Sequence, residues 1–409
     1  MNFSISIPRQ ITYTIVPLAL IIMGDSILYV VLPTNFEFFM IDSYLGIPYE
    51  FWIGFILSIN RFVRFFSNIF SVKVFSYLGF RNTILLACIL GATSTLSYVV
   101  FKGVLLIIIA RIIWGLSYSI FRLGYQLRVF TFSPSNYGKY LGYCLGVQRT
   151  GSFLVVTLGV LLTIKFGIFI TFVGLFLLVF PALLISLFIN NIDISKYSPN
   201  KVNWNLSYAD QNKNISNKIV LISFFKFTSS FTSNGLAIAT ITPFLLSINA
   251  SIYSKEVIIA IAGFIVGFRW IADIFFGIIF GTISDRFGRK MNIIISSILM
   301  LFSIIICISG INFYLSIITI VLMFFFSVSL ETSLDALLGE ISPENQKSSI
   351  VSRYSTWQDL GAALGPIIGF LFASNLGISF GYYISIFMFL WCIILFLRTF
   401  TNQEKQSYL

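Results

Sequence analysis

Apolar residues in this chain come in long runs, separated by short polar clusters. The runs occupy 11–33, 51–75, 82–101, 104–127, 140–163 and 166–190, then 219–246, 256–280, 291–309, 313–338, 351–374 and 377–398. A helix needs roughly 20 apolar residues to cross a hydrocarbon core about 30 Å thick. Lipid gives backbone amides no partners, so the runs are expected to be helices. The pattern predicts an all-α integral membrane protein with twelve transmembrane helices in two pseudo-symmetric six-helix bundles, 1–190 and 218–400. Between them 191–217 is rich in Asn and Ser and reads as a cytoplasmic linker, and 401–409 as a cytoplasmic tail. The first run carries Pro17 and Asp25 within a full span and lacks a small-residue cleavage site, so it reads as a retained helix.

Composition agrees. The chain is 57% hydrophobic and 10% charged, and a soluble domain of this length has no way to cover that much apolar surface. Arg9, Lys73, Arg81, Arg128, Lys139, Lys218, Arg286, Lys290 and Lys347 fall on one side of the predicted membrane, against Lys102, Lys165 and Lys255 on the other. By the positive-inside rule both termini are cytoplasmic, in a plasma or inner membrane. These loops account for most of the net charge of +11, so no nucleic-acid partner is implied. Cys88, Cys144, Cys307 and Cys392 lie in separate predicted helices and read as packing residues; with no histidine, an imidazole metal site is excluded. Neither a metal nor a cofactor is expected, and the expected partners are lipid and a small-molecule substrate, with the protein a monomer.

The two halves are copies. Pro33 and Pro243 are 210 apart, as are Gln148 and Gln358, and Gly151 and Gly361; Pro134 and Pro343 are 209 apart, as are Gly79 and Gly288. Between the eighth and ninth runs stands Gly281-Thr-Ile-Ser-Asp285-Arg286-Phe-Gly288-Arg289-Lys290. It resembles the GxxxDRxGRK loop signature of the major facilitator superfamily at every defined position. Physically, Gly281 and Gly288 permit close approach and a tight turn, while Asp285 and Arg286 have charges suited to a cytoplasmic gate. The first half has a worn copy, Val72 to Arg81, with Ser76 and Tyr77 where the acid and arginine belong. Arg111-Ile-Ile-Trp114-Gly115 resembles the family's RxxxG signature. Gly361-Ala-Ala-Leu-Gly365-Pro366-Ile-Ile-Gly369 is similar to its glycine-proline signature of antiporters, which usually lies on the fifth helix and here lies on the eleventh. A plain packing and bending role for these glycines and the proline stays open. The resemblance implies a secondary transporter whose halves rock around a central site, driven by a proton gradient.

Ionisable residues in mid-membrane cost about 2.5–3.5 kcal/mol each on insertion scales. By the family resemblance Asp25 and Arg111 are the candidate proton-coupling pair; a static buried salt bridge is the alternative. Arg111, Gly115, Tyr118 and Arg122 follow at steps of 4, 3 and 4, on one helical face. Arg122 corresponds in the repeat to Glu331, Gln126 to Asp335, and Arg149 stands beside Gln148 as Asp359 stands beside Gln358. Opposite charges at equivalent depths point to a central cavity lined by Arg122, Gln126, Gln148, Arg149, Glu331, Asp335, Gln358 and Asp359, with Asn234 on the polar seventh helix. Alternatively, the two halves neutralise each other. Lys226 on that helix is read as snorkelling to the surface, Arg269 and Asp273 as a local pair, and Arg61 and Arg64 have no assigned role.

No GxxxxGK[ST] loop is present and no loop is long enough for a catalytic domain, so neither an enzyme nor an ATP-driven pump is expected. The expectation is transport of a small organic solute by alternating access, leaning to efflux of a drug or metabolite against protons. Proton symport of an organic anion or zwitterion is the alternative, and a transporter-derived sensor a remote one.

Overall fold

The computed structural model describes residues 7–42, 49–193, 213–248, 253–310, 312–371 and 377–406. Residues 194–212 of the expected linker and 407–409 of the tail lie outside them. The described residues are helical almost throughout, since long apolar segments satisfy their amides only internally.

In chain order the helices are α1 (Arg9–Ser26), α2 (Leu28–Thr34), α3 (Tyr49–Leu78), α4 (Phe80–Val100), α5 (Val104–Val129) and α6 (Tyr137–Leu154). Next come α7 (Val160–Phe166), α8 (Ile168–Leu177), α9 (Val179–Leu187), α10 (Lys213–Ser230), α11 (Ile238–Ile248) and α12 (Lys255–Phe287). The last are α13 (Arg289–Ile308), α14 (Phe313–Ile341), α15 (Lys347–Leu371) and α16 (Phe380–Gln406). Joined segments form single passages: α1 runs on into α2 through helical backbone at Ile27. Wider π turns, Val155–Gly159 and Phe231–Ala237, link α6 to α7 and α10 to α11.

Among the described residues, ten passages are long and apolar enough to cross a membrane. Of the two remaining predicted spans, 140–163 is helical within α6–α7, and the described part of the other, 351–371, lies within α15.

The repeat persists in the backbone. Gly79 (φ 77°) and Gly288 (φ 93°) each join two helices with a single residue, in a conformation that a Cβ disfavours. One-turn 3-10 helices precede α6 and α15, at Pro134–Asn136 and Glu344–Gln346.

By contacts the chain forms two compact units. The first is Met1–Phe132, Cys144–Trp204 and Glu344–Ser352; the second is Ser133–Tyr143, Asn205–Pro343 and Arg353–Leu409. Polar stitches hold helices together inside each unit. Ser67 and Ser119 join α3 to α5 at 2.7 Å, and Asn292 donates to Ser329 and Ser333 between α13 and α14. Such bonds help associate helices in lipid, where apolar burial discriminates little.

Candidate functional site

In the first unit, α1 supplies Asp25 and α5 supplies Arg111, whose guanidinium donates to the Asp25 carboxylate. Arg111 is fully buried. Its Nε also donates to the Ile56 carbonyl at 2.9 Å, and one Nη to the Leu57 carbonyl at 2.8 Å and the Tyr29 hydroxyl at 3.0 Å. Four partners on three helices therefore position one cation, as a fork of planar donors allows. Space for this comes from Gly115, where a Cβ would meet the Asn60 carbonyl at 3.1 Å, so α5 lies close on α3.

Two turns further on, an Arg122 Nη donates to Asn68 Oδ1 at 3.2 Å. The Tyr118 ring lies 4.8 Å from the Arg64 guanidinium and 5.6 Å from that of Arg122, and its hydroxyl accepts from Gln148 at 2.9 Å. The face through Arg111, Gly115, Tyr118 and Arg122 thus turns toward α3. Gln126 is buried, while Arg149 and Arg61 are half-buried.

The second unit corrects the reading of Lys226. It does not snorkel: it is 1% exposed. Its ammonium lies 2.9 Å from Asp335 and 3.3 Å from Glu331, which are one turn apart on α14. The α10 backbone enters a π turn at this point, and Ser229, Ser233 and Asn234 all donate to Glu331 Oε1 at 3.0–3.3 Å. Tyr354 on α15 donates to Asp335. Arg269 turns to the Asn234 side-chain oxygen at 2.7 Å and to Ser327 at 3.1 Å, contacts beyond the local pairing with Asp273 that its spacing suggested. Asp359 is buried and Gln358 half-buried, both in this unit. The predicted cavity set is thus divided, with Arg122, Gln126, Gln148 and Arg149 in one unit and Asn234, Glu331, Asp335, Gln358 and Asp359 in the other.

Sequence reasoning missed Lys226 as a partner for the α14 acids, although two buried acids four residues apart require a nearby cation. It also missed Tyr29, Asn68 and Tyr354, which have no distinctive sequence signal.

The loop signature is a hub of the second unit. Asp285 accepts the amide hydrogens of Gly138 at 3.0 Å and Lys139 at 2.9 Å, capping from outside the first turn of α6. Arg289, not the adjacent Arg286, is its ion partner, at 3.1 Å. That arginine also binds Glu340 at 2.7 Å and the carbonyls of Ala336 and Pro134. Arg286, Gly288 and Lys290 are exposed. Gly281 packs on Gly138, and a Cβ on Gly277 would come 2.8 Å from the Gly142 carbonyl. Two glycine pairs, each spaced by four, let these backbones touch. In the worn copy, Ser76 donates only to Lys73 in its own helix, at 2.9 Å.

On α15, Gly361 and Gly365 lie against the α10 backbone from Phe227 to Leu236, and Gly369 against Leu236 and Thr240. Pro366 sits inside the helix. The glycine row makes a close helix crossing against the π turn.

Residues 224–408 match the family model described as Major Facilitator Superfamily. The fold is similar to that of the human organic anion transporter MFSD10 (TETRAN), with TM-score 0.72, 15% identity, and 95% of this chain and 99% of that one covered. It is also similar to the proton:xylose symporter XylE, in a structure bound to 6-bromo-6-deoxy-D-glucose. There the TM-score is 0.70 and the identity 13%, with 96% and 95% of the two chains covered. Among curated proteins none matches the chain. At these identities the structural likeness concerns the fold.

Proposed function

We infer that this chain, which belongs to the major facilitator superfamily, uses the Asp25–Arg111 pair to couple the movement of a small organic solute to protons. The observation that carries the reading is the burial of that pair, with Tyr29 and two α3 carbonyls ready to keep the guanidinium satisfied when the carboxylate lets go. A buried acid is a proton carrier when its counter-charge moves: Asp25 takes a proton as Arg111 withdraws and releases it when the pair re-forms.

Export against inward proton flow is the direction we assign, on the glycine-proline pattern of α15. A second reading, symport of an organic anion or zwitterion, is favoured by Arg64 and Arg122 gathered around Tyr118. One of the similar folds belongs to a protein named for organic anions and the other to one named for protons and xylose.

The test is luminal pH in oriented proteoliposomes challenged with pools of metabolites and drugs, comparing wild type with Asp25→Asn. Proton movement opposite to the solute in wild type alone supports export. Movement with the solute supports symport, and solute flux with no proton signal in either protein overturns the coupling role.

A further inference from the structure

Two tyrosines in opposite surroundings flank Arg111. Tyr29 of α2 is 37% exposed and fully engaged: its hydroxyl accepts from an Arg111 Nη at 3.0 Å and donates to the Leu57 carbonyl at 3.2 Å. Tyr98 of α4 is fully buried. Its hydroxyl lies near Ser94 and the same guanidinium, yet has no hydrogen-bond partner among the described residues. The ring has no room to carry that hydroxyl elsewhere, being sunk among Ile27, Ile107 and Phe172 and edge-on to Phe172 at 6.3 Å. Ser94 already gives its hydrogen to the Ala110 carbonyl at 2.8 Å, so it has none for the tyrosine oxygen. An unpaired buried hydroxyl carries a cost that phenylalanine would avoid.

Arg111 supplies the complement. A guanidinium has five hydrogens. Nε gives one to the Ile56 carbonyl, one Nη gives two, to Tyr29 and Leu57, and the other Nη gives one to Asp25. Among the described residues one hydrogen is left over, on the nitrogen that holds Asp25. A small turn of the guanidinium away from Asp25 therefore joins an unused donor to an unused acceptor.

We propose that Tyr98 is a positioning residue for proton exchange at Asp25, offering Arg111 a second seat when the carboxylate takes a proton. Held on Asp25, the arginine leaves the Tyr98 oxygen bare; released, it satisfies that oxygen. The hydroxyl thus favours the protonated state of the pair. This rests on the coupling reading above. The charged groups acting on Asp25 are Arg111 of α5 and Arg64 of α3, and Tyr29 and Tyr98 are the titratable groups beside the pair. Cys88 of α4 faces Ser186 of α9 instead. Helices α8 and α9 and the π turn Val155–Gly159, which also pack on α1, contain no titratable residue.

Infrared spectroscopy of the full-length protein in proteoliposomes reads Asp25 directly, as the protonated-carboxyl band that Asp25→Asn removes. In Tyr98→Phe, filling that band halfway is expected to need about tenfold more acid, one pH unit, with thermal stability at or above wild type. Should that variant fail to fold, Tyr98→Met also lacks the hydroxyl and is expected to show the same shift. A midpoint that stays in place, or moves the other way, makes Tyr98 a packing residue and overturns the proposal alone. A band that does not titrate in wild type overturns the coupling reading, and this proposal with it.

Discussion

Arg111 reaches Asp25 inside the first unit with the two side chains 0% and 8% exposed, and the same guanidinium also holds two backbone carbonyls of α3. The carboxylate is thus one of several partners of the arginine, while the arginine is the ion partner of the carboxylate. The consequences of removing each are unequal.

Asp25→Asn is expected to keep the fold and lose proton-driven solute accumulation. Arg111→Gln strands a buried carboxylate, at a cost of about 3–5 kcal/mol. Arg111→Lys does not rescue it, since one ammonium lacks the fork that reaches Asp25, Tyr29 and the carbonyls of Ile56 and Leu57. Melting temperature in detergent separates the cases: near wild type for Asp25→Asn and clearly lowered for both arginine variants.

Two glycines of α12 give a paired test of close packing. Gly277→Ala places a methyl 2.8 Å from the Gly142 carbonyl, whereas a Cβ at Gly267 meets nothing within 4 Å. The first is expected to destabilise by about 1–3 kcal/mol through overpacking. The second should stabilise by about 0.5–1 kcal/mol through helix propensity. Opposite shifts in thermal unfolding check the pair, and equal shifts would contradict the backbone contact.

Asp285→Ala removes an external cap from Gly138 and Lys139. Lost caps cost about 0.5–2 kcal/mol. Faster deuterium uptake should be confined to the start of α6, with α14 unaffected. Mass spectrometry of peptides covering 134–145 and 313–341 reads both.

All four cysteines are free and buried. A hydrophilic maleimide is expected to leave the folded protein unlabelled and to label it after denaturation. Rapid labelling of the folded protein would show that one of them opens to water.

Much of the architecture was legible because lipid imposes a severe rule: long apolar runs must be helices. The Gly79 and Gly288 turns were visible as matched residues, since tight helix-to-helix joints favour glycine. The face through Arg111 and Arg122 followed from helical spacing alone. The glycine pairs at 138 and 142 and at 277 and 281 were written in the sequence at the spacing of a close crossing, yet nothing local says which row meets which.

By itself the sequence determined the helical membrane fold, its internal repeat, and which rare charges had to be accounted for, because hydropathy and periodicity are properties of consecutive residues. Only the tertiary structure decided who holds whom. Lys226 pairs with acids 105 and 109 positions away, and Asp285 caps a helix that begins nearly 150 residues earlier. A buried charge must find a partner, but which partner depends on which helices lie side by side, and that is set by packing of the whole unit.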